Sequence, residues 1–159
     1  MKTEIKVNGI VTIKILDENS KVIKTIVNKN LVVSGGLEFF IKKIINDPNY
    51  NDINISKIGI GSDPTRVTMS DTGLAAADES SAVFNEIFSL ELDTLNSIYA
   101  NTTFKDVFTG NTISEIGLFA TDEHEQEKIL IARTVLPVDQ RFTKLNGQDI
   151  SVFWEITIG

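Results

Sequence analysis

The stretch of residues 150–158 alternates apolar and polar positions with a period of two. Its apolar positions are Ile150, Val152, Trp154, Ile156 and Ile158. Successive side chains of a β-strand point to opposite faces, so this pattern predicts a strand with one buried face. Trp154 is therefore predicted to lie in a hydrophobic core, although a tryptophan can also stack on a ligand. Phe153 is the one residue that interrupts the polar side.

Further β-rich segments occur along the whole chain and are separated by turn residues. Apolar alternation or β-branched runs mark residues 4–28, 53–60, 84–92, 98–108, 112–119 and 128–136. Short turns between such runs favour antiparallel neighbours over alternating strand–helix units. The chain of 159 residues has the usual size of one domain. We therefore predict a single mainly β domain over residues 1–159, an antiparallel β-sandwich of about eight strands.

One segment, residues 35–46, has a helical period instead. Leu37, Phe40, Ile41, Ile44 and Ile45 recur at the spacing of one helix face. Ser34 is a candidate N-cap, and Pro48 ends the segment because proline cannot continue a helix. We expect this helix to pack on a sheet through Phe40, Ile41 and Ile44.

Composition and charge exclude several classes of function. The net charge is −7 and the lysines are scattered, so the basic stripe of a nucleic-acid binder is missing and an anionic membrane is not an expected partner. The chain has no cysteine, which removes disulfides, thiolate metal sites and cysteine nucleophiles. No apolar run reaches the length of a membrane span or of a signal-peptide core, so ordinary secretion is not expected.

Candidate catalytic residues are isolated from one another. His124 stands alone within an acidic stretch, so we expect a solvated loop residue with no essential role. Gly59-Ile60-Gly61 lacks the third glycine of a dinucleotide fingerprint, and a tight turn is the expected structure. Glu115 has no recognisable second carboxylate, so a surface position or a structural ion pair is expected. These observations predict no enzyme activity, no metal and no cofactor.

Residues 62–82 are rich in Ser, Thr, Asp, Gly and Ala and predict a long ordered loop. Loops of this length within compact domains are uncommon and are often functional. The spacing of Asp63 and Asp71 does not match a calcium-binding loop. Arg and Met are enriched in the cores of interfaces, so Arg66, Val67 and Met69 are the candidate interface residues.

Three stretches carry a resemblance to a known group of proteins. They are residues 27–36 leading into the helix, Ile58-Gly59-Ile60-Gly61-Ser62 with Ser70-Asp71-Thr72-Gly73-Leu74, and Ile113-Ser114-Glu115-Ile116-Gly117-Leu118-Phe119 with residues 130–133 and 153–158. From about residue 27 onward, the chain resembles small tail-associated virion proteins of tailed bacteriophages. The resemblance implies a non-enzymatic structural component of the tail, baseplate, collar or fibre attachment, made in the bacterial cytoplasm and incorporated into the virion. It implies other virion proteins as partners and supplies no catalytic residues.

The residues leave alternatives open. A protein that decorates the head or belongs to a head fibre has the same features, as does a receptor- or carbohydrate-binding β-sandwich; a hydrolase is a third reading. Edge strands with unpaired backbone groups favour self-association. We therefore expect a homo-oligomer or a ring within a larger particle, with the long loop in an interface and the last strand available as an edge.

Overall fold

The computed structural model describes residues 6–76, 82–94 and 96–159. Residues 77–81 of the predicted loop lie outside the described residues. The described part contains one α-helix, α1 (Ser34–Ile44), and two short 3-10 turns, Pro48–Tyr50 and Val138–Gln140. Its strands, in chain order, are β1 (Val7–Leu16), β2 (Val22–Val32), β3 (Asn54–Gly61), β4 (Ala82–Glu86), β5 (Ser89–Thr94), β6 (Ser97–Phe104), β7 (Thr112–Ile113), β8 (Glu115–Thr121), β9 (Lys128–Val135), β10 (Phe142–Thr143) and β11 (Asp149–Ile158).

Nine strands form one antiparallel sheet in the order β4-β3-β8-β9-β2-β1-β11-β6-β5, and β7 pairs with β10 in a second, small sheet. The large sheet curls because β2 pairs with β1 over most of its length but with β9 only at Leu31 and Val32. The curl brings β4 close to β6, where the Asn85 side chain donates to Thr102 Oγ1 at 2.9 Å. The result is a sandwich-like, mainly β fold, which confirms the predicted fold class; the structure has nine main strands where about eight were predicted.

The core lies between the two halves of the curled sheet. The apolar positions of β11 contribute to it, and Trp154 is fully buried, as its alternation predicted. However, β11 is not an edge. It pairs with β1 on one side and with β6 on the other, so its backbone groups are used within the sheet. The expectation that the last strand is an exposed edge was wrong; β4 and β5 occupy the two ends of the sheet order.

The helix has nearly the predicted bounds, but its packing face differs from the prediction at two of three residues. Phe40 is half-buried and packs against the main core, as predicted, whereas the prediction was wrong for Ile41 and Ile44. Gly36 and Phe39 are buried, whereas Ile41 and Ile44 are 58% and 67% exposed. A Cβ atom on Gly36 would come within 2.1 Å of the Ile131 carbonyl oxygen, so the helix backbone lies directly on β9. This close approach turns the face of Gly36 and Phe39 inward and leaves the isoleucines outside.

The start of the helix also differs from the expectation. Val33 occupies the N-cap position without a side-chain hydrogen bond, so Ser34 is not the cap. The Ser34 amide instead donates to the Met69 carbonyl oxygen at 2.9 Å, which ties the helix start to the long loop. Among the described residues, no helix is long and apolar enough to cross a membrane.

Candidate functional site

The outer face of β3 and β8 carries a shallow trough made by glycines. Gly59 in β3 lies opposite Gly117 in β8, and Gly61 lies opposite Glu115. A Cβ atom on Gly59 or Gly117 would come within 3.1 or 2.9 Å of the Leu74 side chain, and one on Gly61 within 2.6 Å of the Glu115 carboxylate. The three glycines therefore provide space for the long loop to lie on the sheet.

The loop covers this trough and buries a second, smaller core. Leu74 packs against a cluster of Val33, Phe119 and Leu130, which is separate from the main core. All seven residues of β8 are consequently buried, because one face meets the main core and the other meets the loop. A strand covered on both faces is a rigid base for anything attached to it.

Arg133, in the strand β9 beneath the loop, holds the loop by hydrogen bonds. Its side chain is only 1% exposed, and its Nε and Nη2 atoms lie 2.8 and 2.7 Å from Oε2 of the fully buried Glu115. Its Nη1 donates to Asp71 Oδ2 at 2.9 Å, and Nη2 also donates to the Thr65 carbonyl oxygen at 2.9 Å. One guanidinium thus connects Glu115 of β8 with two residues of the loop, Thr65 and Asp71.

Glu115 holds the far end of the described loop. Its two carboxylate oxygens accept hydrogen bonds from the amides of Ala75 at 2.9 Å and Ala76 at 2.8 Å. A buried charge is costly unless it is paired and hydrogen-bonded, and here both conditions are met. Of the two positions expected for Glu115, the structural ion pair is the one observed.

Asp71 is the more accessible acid of this network. Burial raises the pKa of its carboxyl, but hydrogen bonds from the hydroxyl and amide of Thr68 and from Arg133 outweigh burial, so the pKa of Asp71 lies below its ordinary value. Asp63, at the start of the loop, also has a lowered pKa because it accepts hydrogen bonds from Thr65. Both carboxylates therefore stabilise the loop in the ionised state.

The three predicted interface residues lie on this loop but not all at one place. Arg66 is exposed and Val67 is half-buried, and both line one cleft; Met69 is 42% exposed and lies beside the helix start, away from that cleft. The predicted contact surface is thus split into two parts.

The cleft opens where β2 leaves β9, and its volume is about 450 Å³. Past Leu31 and Arg133 the two strands separate, and the Asn28 side chain bridges them by donating to Thr134 Oγ1 at 2.8 Å. Besides Arg133, the cleft is lined by the cationic residues Lys29, Arg66 and Arg141 and by no acidic residue of the described chain. On a protein with net charge −7, this cleft is a local site of positive charge. We call it the basic cleft.

The opposite end of β9 is acidic. The turn between β8 and β9 carries Asp122, Glu123, Glu125 and Glu127, and Asp52 lines the same small cavity as Glu123 and Glu127. His124 is exposed in this turn. No group of three or more His, Cys, Asp or Glu side chains in the described ranges is arranged to hold a metal ion. That His124 has no essential role stays a prediction.

The sequence pattern predicted the wrong structure for Gly59 and Gly61 and did not identify Arg133 as the residue that connects the loop to the sheet. Gly59 and Gly61 lie within β3 and not in a tight turn, so that expectation was wrong; their role is to give room to Leu74 and Glu115. Arg133 was detectable as the one charged residue inside the apolar run of residues 129–136. Its partners could not be found, because Asp71 lies 62 positions away in sequence.

Comparisons of the chain with protein-family models, with curated proteins and with solved structures gave no match.

Proposed function

We propose that this chain is a non-enzymatic structural component of a bacteriophage particle, associated with the tail, and that it acts through protein–protein contacts. The observation that carries the proposal is that a buried ion network holds an exposed loop in one conformation. Arg133 and Glu115 are 1% and 0% exposed, yet their hydrogen bonds go to the loop residues Thr65, Asp71, Ala75 and Ala76. Because these hydrogen bonds already order the loop, it loses little conformational entropy when it binds a partner.

The surface around the helix supports contacts with other proteins. Ile41, Ile44 and Ile45 are spaced on one outward helix face and are 58%, 67% and 63% exposed. Apolar side chains grouped on a surface are typical of interaction sites. Met69 lies beside the start of the same helix and adds a flexible apolar side chain.

The choice of a phage particle rests on the resemblance in the sequence. Several of the residues that carry it build the loop anchor: the glycine pair of β3, Asp71 and Leu74 of the loop, and Glu115 and Gly117 of β8. The resemblance favours the tail; decoration of the head or a head fibre is the alternative position.

The test is to purify phage particles on a density gradient from lysates of the cells that encode the chain, and to detect it by mass spectrometry. We expect the chain in the particle fraction at a fixed ratio to the other virion proteins. A variant with Val67→Glu and Met69→Lys should be missing from particles while its thermal unfolding midpoint is nearly unchanged. Leu145→Glu, at a residue that is 57% exposed, is the matched control and should still be incorporated.

Two results would contradict the proposal. The chain could remain entirely in the soluble fraction, or the doubly charged variant could be incorporated as well as the wild type. Unfolding of that variant would show that Val67 and Met69 belong to the core, which the exposed fraction of Met69 argues against.

A receptor- or carbohydrate-binding function is the second candidate, and one observation favours it. On the outer face of the β6–β11 pair, the rings of Tyr99 and Phe153 lie 6.0 Å apart, and Lys14 Nζ lies 5.0 Å from the Phe153 ring. Glu155 and Asn101 are their register partners on the same face. Aromatic rings beside polar side chains are suited to holding a sugar ring.

A glycan array with the isolated chain separates the two candidates. Binding that is lost on Phe153→Ala and kept on Leu145→Glu would support the carbohydrate reading. If the isolated chain binds no glycan, the aromatic pair is a packing feature of the sheet surface.

A further inference from the structure

We propose that copies of this chain associate head to tail, with the acidic turn of one copy in the basic cleft of the next. The acidic turn comprises residues 122–127, and the basic cleft is the one lined by Lys29, Arg66 and Arg141. This inference rests on the proposed assembly function, because it names the partner and the two surfaces that meet.

The basic cleft has cations that no acid of the same copy neutralises. Within the described residues, Lys29, Arg66 and Arg141 form no ion pair, whereas Arg133 beneath them is fully engaged with Glu115 and Asp71. Arg141 is held in place by a hydrogen bond from its Nε to the Leu136 carbonyl oxygen at 3.0 Å. Two of the three cations are guanidinium groups, which bind carboxylates through two parallel hydrogen bonds.

The acidic turn has the complementary excess of carboxylates. Lys57 pairs with Glu125, and Asp122 is used within the turn, where it accepts from the Glu127 amide at 3.0 Å. Glu123 and Glu127 are exposed and form no ion pair among the described residues. The one lysine that follows, Lys128, lies over the Phe84 ring, with Nζ 3.3 Å from its centroid.

The two surfaces lie at opposite ends of the same rigid element. The turn precedes β9, and the last three residues of β9 line the cleft, so the five residues 128–132 separate the two surfaces. At about 3.3 Å per residue, this part of the strand spans roughly 16 Å. The cleft and the turn of a single copy therefore cannot meet. Each copy offers one surface of each kind, which is the requirement for a heterologous interface that closes into a ring or continues as a filament.

The exposure of the two surfaces also agrees with the charges. Residues 123–127 of the turn are exposed at the end of the β8–β9 hairpin, whereas the cleft lies between separating strands and has apolar walls at Leu31, Val67 and Pro137. Carboxylates that enter such a cleft are partly removed from water, where their attraction to arginine is stronger. The like charge of two acidic turns disfavours a symmetric contact between them.

The first measurement is sedimentation velocity of the full chain at high concentration in low salt and again in high salt. We expect species larger than the monomer in low salt and their dissociation in high salt, because salt screens exposed charges. Two charge-reversal variants then test the surfaces, Lys29→Glu with Arg66→Glu in the cleft, and Glu123→Lys with Glu127→Lys in the turn. Each should weaken self-association on the order of 100-fold, since it places like charges in contact.

Mixing the two variants gives the decisive result. The cleft variant keeps a normal turn, and the turn variant keeps a normal cleft, so one productive interface can form between them. A one-to-one mixture should form dimers and larger species, because the reversed cleft and the reversed turn also carry opposite charges, although neither variant associates alone. The matched controls are Lys21→Glu with Lys24→Glu, and Glu18→Lys with Glu91→Lys, which change the net charge equally at other exposed positions. They should associate like the wild type.

Three results would overturn the inference: a wild-type chain that stays monomeric in low salt, a mixture of the variants that forms no dimer, or control variants that are equally defective. Failure here is distinct from failure of the proposed function. The chain would then still be found in purified particles, held there by other virion proteins, whereas absence from particles would reject the proposed function itself.

Discussion

Arg133 and Glu115 form an ion pair across neighbouring strands although they are not opposite each other in register. Arg133 lies opposite Gly117, and Glu115 lies opposite Val135, so the pair is diagonal. Nη2 of the guanidinium reaches diagonally to Glu115, 2.7 Å from Oε2, while Nη1 extends to Asp71, 2.9 Å from Oδ2. The loop is thus held by a charge that comes from the sheet.

Replacing Arg133 with Met should be strongly destabilising. The substitution keeps much of the apolar stem but leaves the Glu115 carboxylate buried without its cation, which costs about 3–5 kcal/mol. Urea denaturation measures the loss. Adding Glu115→Gln, which removes the unpaired charge, should recover part of the stability. A single variant within about 0.5 kcal/mol of the wild type would show that the network does not hold the loop.

Two adjacent glycines of the helix should respond differently to alanine. A Cβ on Gly36 would lie 2.1 Å from the Ile131 carbonyl oxygen and within 3 Å of two further backbone atoms, so Gly36→Ala must displace the helix from β9. A Cβ on Gly35 meets its nearest neighbour at 3.5 Å, an ordinary contact. We expect Gly36→Ala to lower the unfolding free energy by about 1–3 kcal/mol, as overpacking does. Gly35→Ala, the matched control, should be neutral or stabilising because alanine favours helix.

This glycine explains why the sequence predicted the helix but not its packing. Period and proline placed the helix within one or two residues of its observed ends, because those features are local. Which face turns inward depends on Gly36 meeting β9, about 95 positions later, and on the position of that strand in the sheet. Since Phe39, Phe40 and Ile41 are all apolar, hydrophobicity alone could not choose between the faces.

Truncation to alanine should lower the free energy of unfolding at Phe39 but hardly at Ile44. Phe39 is 4% exposed within the main core, whereas Ile44 is 67% exposed. Phe39→Ala should cost about 3–5 kcal/mol in urea denaturation, as for buried aromatic residues. Ile44→Ala should change the free energy of unfolding of the isolated chain by no more than about 0.5 kcal/mol. Equal losses at both positions would mean that the helix is oriented otherwise.

In the candidate site too, features set by neighbouring residues were predictable from the sequence, and contacts between distant residues were not. Residues 62–82 were predicted as a loop from their composition, and the strands beneath it from their alternation. The ion network was not predictable, because Asp71, Glu115 and Arg133 come from three separate parts of the chain and meet only after the sheet has formed. The basic cleft likewise exists only because β2 changes its partner from β1 to β9.

The loop should loosen in acid through Asp71. Because the pKa of Asp71 is lowered in the folded chain, its contribution to stability is complete above the pKa of an unfolded aspartate, about 3.9, and is lost as the pH falls through the lower folded value. The Thr68 amide, which donates to Asp71 Oδ2 at 3.1 Å, reports this directly by hydrogen exchange. Its protection in the wild type should fall as the pH drops below about 4, the pKa of an unfolded aspartate.

Asp71→Asn separates this effect from general acid unfolding. The variant should have weaker Thr68 protection already at neutral pH, and that protection should no longer change as the pH falls through the acid range. Asp47 is the matched control, since its pKa is also lowered, by hydrogen bonds from Lys42 and from the Asn49 amide, but it lies at the end of the helix, away from the loop. Asp47→Asn should therefore leave the acid response of Thr68 unchanged. If Asp71→Asn keeps the wild-type response, the carboxylate is not what joins the loop to Arg133.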